Sequence, residues 1–104
     1  MDDYETPSYD LEQIKKAFDQ PEKLRMTSAS ETGLDELCFT KQNAVDAIHS
    51  LSSSDFYKSM SPLHVNFTAW QDVYTPKFKG IRLYIKFQIN REKEVIVSFK
   101  RSQS

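Results

Sequence analysis

Nine consecutive residues, Ile81 to Ile89, alternate without a break: Ile81, Leu83, Ile85, Phe87 and Ile89 are apolar, and Arg82, Tyr84, Lys86 and Gln88 lie between them. Successive side chains of an extended chain point to opposite faces, so this repeat specifies a strand with one face in a core. After a charged stretch, Asn90 to Glu94, the residues Val95, Val97 and Phe99 resume the alternation, and the two runs predict an antiparallel hairpin. A continuous apolar face sets the register: Ile89 opposite Val95, Phe87 opposite Val97, Ile85 opposite Phe99. The other face then carries Lys86 opposite Ser98 and Tyr84 opposite Lys100. A slip of one residue would bury these charges, so the pairing is well specified. Arg82, Tyr84, Lys86, Gln88 and Lys100 therefore share one sheet face.

Upstream the period is helical. Asp10 and Gln13 have capping-box spacing, and Leu11, Ile14 and Phe18 form one apolar stripe that Pro21 brings to an end. Leu24 to Ser28 reads as a short strand. Thr40 caps a second helix running through Leu51, with Ala44, Val45, Ala47, Ile48 and Leu51 as its buried stripe. Ser53 or Ser54 is placed to cap a short third helix, Asp55 to Met60, closed by Pro62. Phe67 to Tyr74 is a strand with poorer alternation. Helices followed by an antiparallel sheet make an α+β fold, with N-terminal helices packed on a C-terminal sheet. The 104 residues suffice for one domain, expected over 8–104 behind a loose tail at 1–7.

No apolar run approaches the roughly 20 residues of a membrane helix, and the first residues are acidic, unlike a secretory leader. The lone cysteine, Cys38, excludes an intrachain disulfide, and a reducing cytoplasm is the expected compartment. Flanked by Leu37 and Phe39, Cys38 reads as a small core residue. His49 and His64 lack metal-ligand spacing, so neither a metal nor another cofactor is expected, and both histidines read as structural.

The formal net charge of -1 hides a division. Residues 1–50 hold eleven acidic and five basic side chains, a balance of −6, whereas residues 51–104 hold four and nine, a balance of +5, with nine of the thirteen aromatics. A basic, aromatic half points to a polyanion partner. RNA cleavage by its own 2′-hydroxyl needs three kinds of help: removal of that proton, stabilisation of charge on phosphorus, and protonation of the leaving oxygen. Lys, Arg and Tyr can supply all three, and aromatic rings can stack unpaired bases. On composition alone, however, Lys and Arg on an exposed strand face are more often simply solvated charges.

Two strings go further: Leu-Ser-Ser-Ser-Asp-Phe-Tyr-Lys-Ser-Met at 51–60 and Trp-Gln-Asp-Val-Tyr-Thr-Pro at 70–76. With Leu-Tyr-Ile-Lys at 83–86, Val-Ile-Val-Ser-Phe-Lys at 95–100 and, more loosely, residues 6–16, they closely resemble the MqsR family of toxins. The resemblance implies a RelE-like fold and an mRNA interferase of a type II toxin–antitoxin pair. Such an enzyme cuts mRNA at short GCU-like sites, without metal or ribosome. It also implies a cognate MqsA-like antitoxin, a zinc-binding helix-turn-helix protein through which alone DNA is contacted. Matched to the family's motifs, the catalytic residues are Lys58, Gln71, Tyr84 and Lys100. Lys58 and Lys100 would hold the scissile phosphate, Tyr84 would move a proton or stack on a base, and Gln71 would orient the phosphate or the 2′-hydroxyl. Tyr57, Arg82 and Lys86 are the expected further RNA contacts. The acidic N-terminal half and the loop Ser61–Thr68 depart from the family pattern. The alternatives are a RelE-like domain that binds RNA or its antitoxin without cutting, and a purely structural interaction protein.

Overall fold

Among the described residues three α-helices precede the main strands, and two of them start at a side-chain cap. The computed structural model describes residues 3–4, 6–18, 26, 28–60, 70–89 and 95–102. Helix α1, Leu11–Ala17, starts where the Asp10 carboxylate accepts the Glu12 N–H at 3.0 Å, and it buries Ile14, with Phe18 buried just beyond it. Helix α3, Lys41–His49, begins with a reciprocal capping box: Asn43 N–H donates to Thr40 Oγ1 at 3.1 Å, and Thr40 N–H to Asn43 Oδ1 at 2.9 Å. Its Ala44, Val45, Ala47 and Ile48 are buried, the stripe expected of it. Pro21 lies outside the described residues.

Helix α2, Ser28–Leu37, takes in the last residue of the strand expected at Leu24–Ser28; Met26 makes an isolated parallel bridge to Val97, and residues 24, 25 and 27 lie outside the described ones. The sequence of α2 is thin in apolar residues and contains Gly33, so no stripe announces it. Close approach takes the place of a stripe: a Cβ on Gly33 would lie 2.4 Å from the carbonyl oxygen of Phe99. Only glycine lets α2 settle so closely on the sheet backbone. Cys38 is also corrected. It is exposed, with φ of 59°, immediately after α2. The left-handed step turns Cys38 outward, while Phe39 meets Phe78 edge-on at 5.8 Å.

The strands are β1 (Asp3–Tyr4), β2 (Phe56–Met60), β3 (Gln71–Tyr74), β4 (Lys77–Phe78), β5 (Ile81–Ile89) and β6 (Val95–Arg101). All strand pairs are antiparallel, in the order β1-β2-β3-β5-β4, with β6 on β5. The β5–β6 register is the one the alternation requires, from Ile89 opposite Val95 to Tyr84 opposite Lys100. Asp3 and Tyr4, within the stretch read as a tail, pair with Met60 and Ser59.

The expected helix Asp55–Met60 is absent. A single 3-10 turn, Ser53–Asp55, closes as Asp55 Oδ2 accepts the Ser52 N–H at 2.9 Å, and the chain leaves extended at Phe56. Aromatic Phe56 and Tyr57 favour a strand, and pairing with β3 decides the matter. Within Phe67–Tyr74, the strand covers Gln71–Tyr74, and residues 67–69 lie outside the described ones. All four strand residues are buried between β2 and β5, which explains the poor alternation.

The helices cover one face of the sheet. There Ile14, Phe18, Leu34, Ala47, Ile48 and Leu51 meet Tyr74, Leu83, Ile85, Phe87, Val97 and Phe99 in a single core. No helix among the described residues is long and apolar enough to cross a membrane.

Candidate active site

The sheet face turned away from the helices is built in rows by strand pairing. One row runs Lys58, Val73, Lys86, Ser98 across β2, β3, β5 and β6, and the next runs Met60, Gln71, Gln88, Ile96. On the other side of the lysine row, Tyr84 faces Lys100. Lys58, Gln71, Tyr84 and Lys100 are thus gathered on one face, each from a different strand, and Lys86 lies among them.

Lys58 reaches this face through an irregularity. Two steps along β2, Phe56 to Lys58, match one step of β3, Tyr74 to Val73. The extra residue is a bulge. Phe56 therefore packs edge-on against Tyr74 at 5.5 Å on the core side, while Lys58 points to the opposite face. Tyr57, at the bulge, is 58% exposed, the one large hydrophobic so exposed among the described residues, and Lys58 Nζ lies 5.4 Å from its ring centre. Lys100 Nζ lies 4.8 Å from the ring centre of Tyr84. Both contacts are cation–π pairs that hold a lysine beside an aromatic surface. Arg82 is exposed at the margin, its Nη1 donating to the Thr75 carbonyl at 2.7 Å.

The electrostatics distinguish Lys86. It is half-buried, and burial, then the Lys100 charge, lower its pKa from the usual lysine value. Gln71 is buried and donates from Nε2 to Gln88 Oε1 at 2.8 Å, while its own Oε1 has no partner among the described residues.

Behind Gln71, on the core side, lies a residue that the sequence reading did not single out. Asp72 is fully buried, and its carboxylate accepts the Ser8 N–H at 3.0 and 2.9 Å, the Tyr9 N–H at 2.9 Å and the Ser59 hydroxyl at 2.6 Å. Tyr9 Oη adds a hydrogen bond to the Trp70 carbonyl at 2.6 Å. This cluster straps residues 8–9 across β2 and β3, the strands that carry Lys58 and Gln71. A carboxylate inside an otherwise uncharged run, Trp70 to Tyr74, was its one sequence signal; the distance to Ser8 along the chain hid the partner. Tyr74, also on the core side, has its pKa raised to about 12 by burial and then by Asp72 and Asp10, so it stays protonated at neutral pH.

His49 is exposed, with Nε2 at 3.1 Å from the Phe18 carbonyl, and Asp55 caps the turn at Ser52. His64 lies outside the described residues. Among the described residues no three His, Cys, Asp or Glu side chains gather as metal ligands.

Lysines, a phenol and an amide on one rigid face can bind a polyanion and exchange protons with it. The profile of the family described as "motility quorum-sensing regulator, toxin of MqsA" matches residues 6–101. The chain is also similar to the "mRNA interferase toxin MqsR" of Escherichia coli (strain K12), with 37% identity over 95 residues, 91% of this chain and 94% of the relative.

Proposed function

The chain belongs to the MqsR toxin family, and from that membership we propose that it is an endoribonuclease that cuts mRNA at short GCU-like sites without metal or ribosome. The observation that carries this reading is the convergence of Lys58, Gln71, Tyr84 and Lys100, one from each of four paired strands, on a single basic face.

In the proposed reaction the 2′-oxygen attacks the adjacent phosphorus, and the bond to the 5′-oxygen of the next nucleotide breaks. The 2′-hydroxyl proton passes to a base on the face and a proton is given to the leaving oxygen. The products are a 2′,3′-cyclic phosphate and a 5′-hydroxyl. Lys58 and Lys100 hold the phosphate and offset the charge that grows on it. Tyr84, beside Lys100, exchanges the proton, and Lys86, its charge already disfavoured by burial, is suited to the same traffic. Exposed Tyr57 stacks on a base, and Arg82 contacts the backbone of the flanking RNA. The cytoplasm is the proposed place of action, and an MqsA-like antitoxin with zinc and a DNA-binding helix-turn-helix is the proposed neutralising partner.

The test is incubation of the purified protein with a GCU-containing RNA in EDTA. Cleavage is expected, and Lys58→Ala or Tyr84→Phe should abolish it while each variant still melts cooperatively. Tight binding that leaves the RNA intact would instead make the protein a non-cutting RNA-binding domain. Affinity should also fall steeply between low and moderate salt, as phosphate contacts require.

A further inference from the structure

We propose that Gln88 is a positioning residue that fixes which end of the Gln71 amide meets the RNA, so that Gln71 presents its carbonyl oxygen to the nucleophilic 2′-hydroxyl. The proposal rests on the RNA-cleaving reading above.

Gln71 and Gln88 are direct cross-strand partners on β3 and β5. Gln88 Oε1 takes the hydrogen bond of Gln71 Nε2 at 2.8 Å, which engages the donor end of the Gln71 amide. The acceptor end is left over: Gln71 is 8% exposed, and its Oε1, itself closed to solvent, has no partner among the described residues. A buried, unpartnered carbonyl is costly and uncommon, and a catalytic role is one of the reasons a native structure keeps one. Met60 and Ile96, which flank the pair in its row, have no donor to offer.

The chemistry of that oxygen selects its ligand. Phosphate oxygens only accept hydrogen bonds, so the carbonyl oxygen repels them. RNA donors are base N–H groups and the 2′-hydroxyl. Lys58 and Lys86, in the adjacent row, attract phosphate, and the donor fixed next to a scissile phosphate is the 2′-hydroxyl of the same nucleotide. Gln71 thus orients the nucleophile and leaves the phosphate to the lysines. Gln88 enforces this, because a donor at position 88 would turn the Gln71 amide over and present N–H in place of C=O.

The test measures discrimination, which a general loss of stability or a change in net charge does not alter. In a Lys100→Ala background that blocks cutting, binding of a GCU-containing RNA is compared with the same RNA bearing 2′-fluoro at the cleaved nucleotide. The fluorine keeps the sugar pucker and removes the donor. The 2′-hydroxyl form should bind about fivefold tighter, the worth of one hydrogen bond. Gln88→Glu, which still accepts from Gln71, should keep that ratio. Gln88→Lys should bring it to about one, with an unchanged melting profile. Gln88→Met, which frees the amide without a new charge, should lower the ratio and serves if the lysine variant does not fold. A ratio unchanged in Gln88→Lys or Gln88→Met, or lost equally in Gln88→Glu, overturns the proposal. If the wild-type protein cuts no RNA, the functional reading fails first, and that result is separate from the ratio.

Discussion

Replacing Gly33 with alanine sets two effects of opposite sign against each other. In a helix interior, alanine is favoured over glycine by about 1 kcal/mol, so a freely placed Gly33 would gain stability from the change. Gly33 is not freely placed. Its new Cβ would lie 2.4 Å from the Phe99 carbonyl oxygen and 3.4 Å from the carbonyl carbon, whereas ordinary contact begins at 3.4 Å. The obstacle is backbone, which no rotamer change can clear, so α2 and β6 must part by roughly 1 Å. Forcing extra volume into a packed contact costs about 1–3 kcal/mol, which outweighs the propensity gain. Net destabilisation of up to about 2 kcal/mol is expected, read as a lower urea midpoint at constant m-value. Because Phe99 precedes Lys100, the same displacement should slow cleavage about tenfold or more, as misplacement of a reacting group by an ångström does. Glu36→Ala, an exposed substitution in the same helix, should stay within about 0.5 kcal/mol of wild type. A Gly33→Ala protein more stable than wild type would refute the account of how α2 is held.

The raised pKa of Tyr74 makes a statement about alkali. Between pH 10.0 and about 12 the unfolded chain releases this proton before the folded one, so stability must fall with rising pH across that window. The total is about 2–3 kcal/mol, and Tyr74→Phe should flatten this part of the profile in melts from pH 9 to 12. Asp72→Asn replaces an acceptor-only carboxylate with a group that confronts its donors; a loss of about 2–4 kcal/mol is expected. Amide exchange at Ser8 and Tyr9 should accelerate well beyond that of the β5–β6 hairpin. Cys38→Gly relieves a positive φ at an exposed site and should raise stability by about 0.5–1 kcal/mol without altering cleavage.

The parts of this fold that could be read in advance are those in which one residue's environment follows from its neighbours in sequence. Strict alternation in β5 and β6 specifies strand, face and register together, and so places Tyr84 beside Lys100. The capping box at Thr40 and Asn43 is likewise written within four residues. Lys58 was legible only through its family motif, because the bulge at Tyr57 breaks the very alternation that would have assigned its face. Helix α2 was hidden for a related reason: it is held by what Gly33 lacks, and a missing side chain leaves no stripe. Asp72 depends on donors sixty-odd positions away, and the Gln71–Gln88 pair on the neighbouring of β3 and β5. None of these leaves a local trace.

The four residues of the face also come from four strands spread along the chain, with Lys100 on the last of them. A chain synthesised only through β5 has Lys58, Gln71 and Tyr84 but lacks the charge opposite the phenol. It also lacks Val97 and Phe99, which close the core beneath Ile85 and Phe87. Nothing short of the final pairing makes the face complete. The order of synthesis therefore bears on the face: among the described strands it is complete only once β6 has docked on β5, and whatever frees β6 dismantles it together with the core beneath.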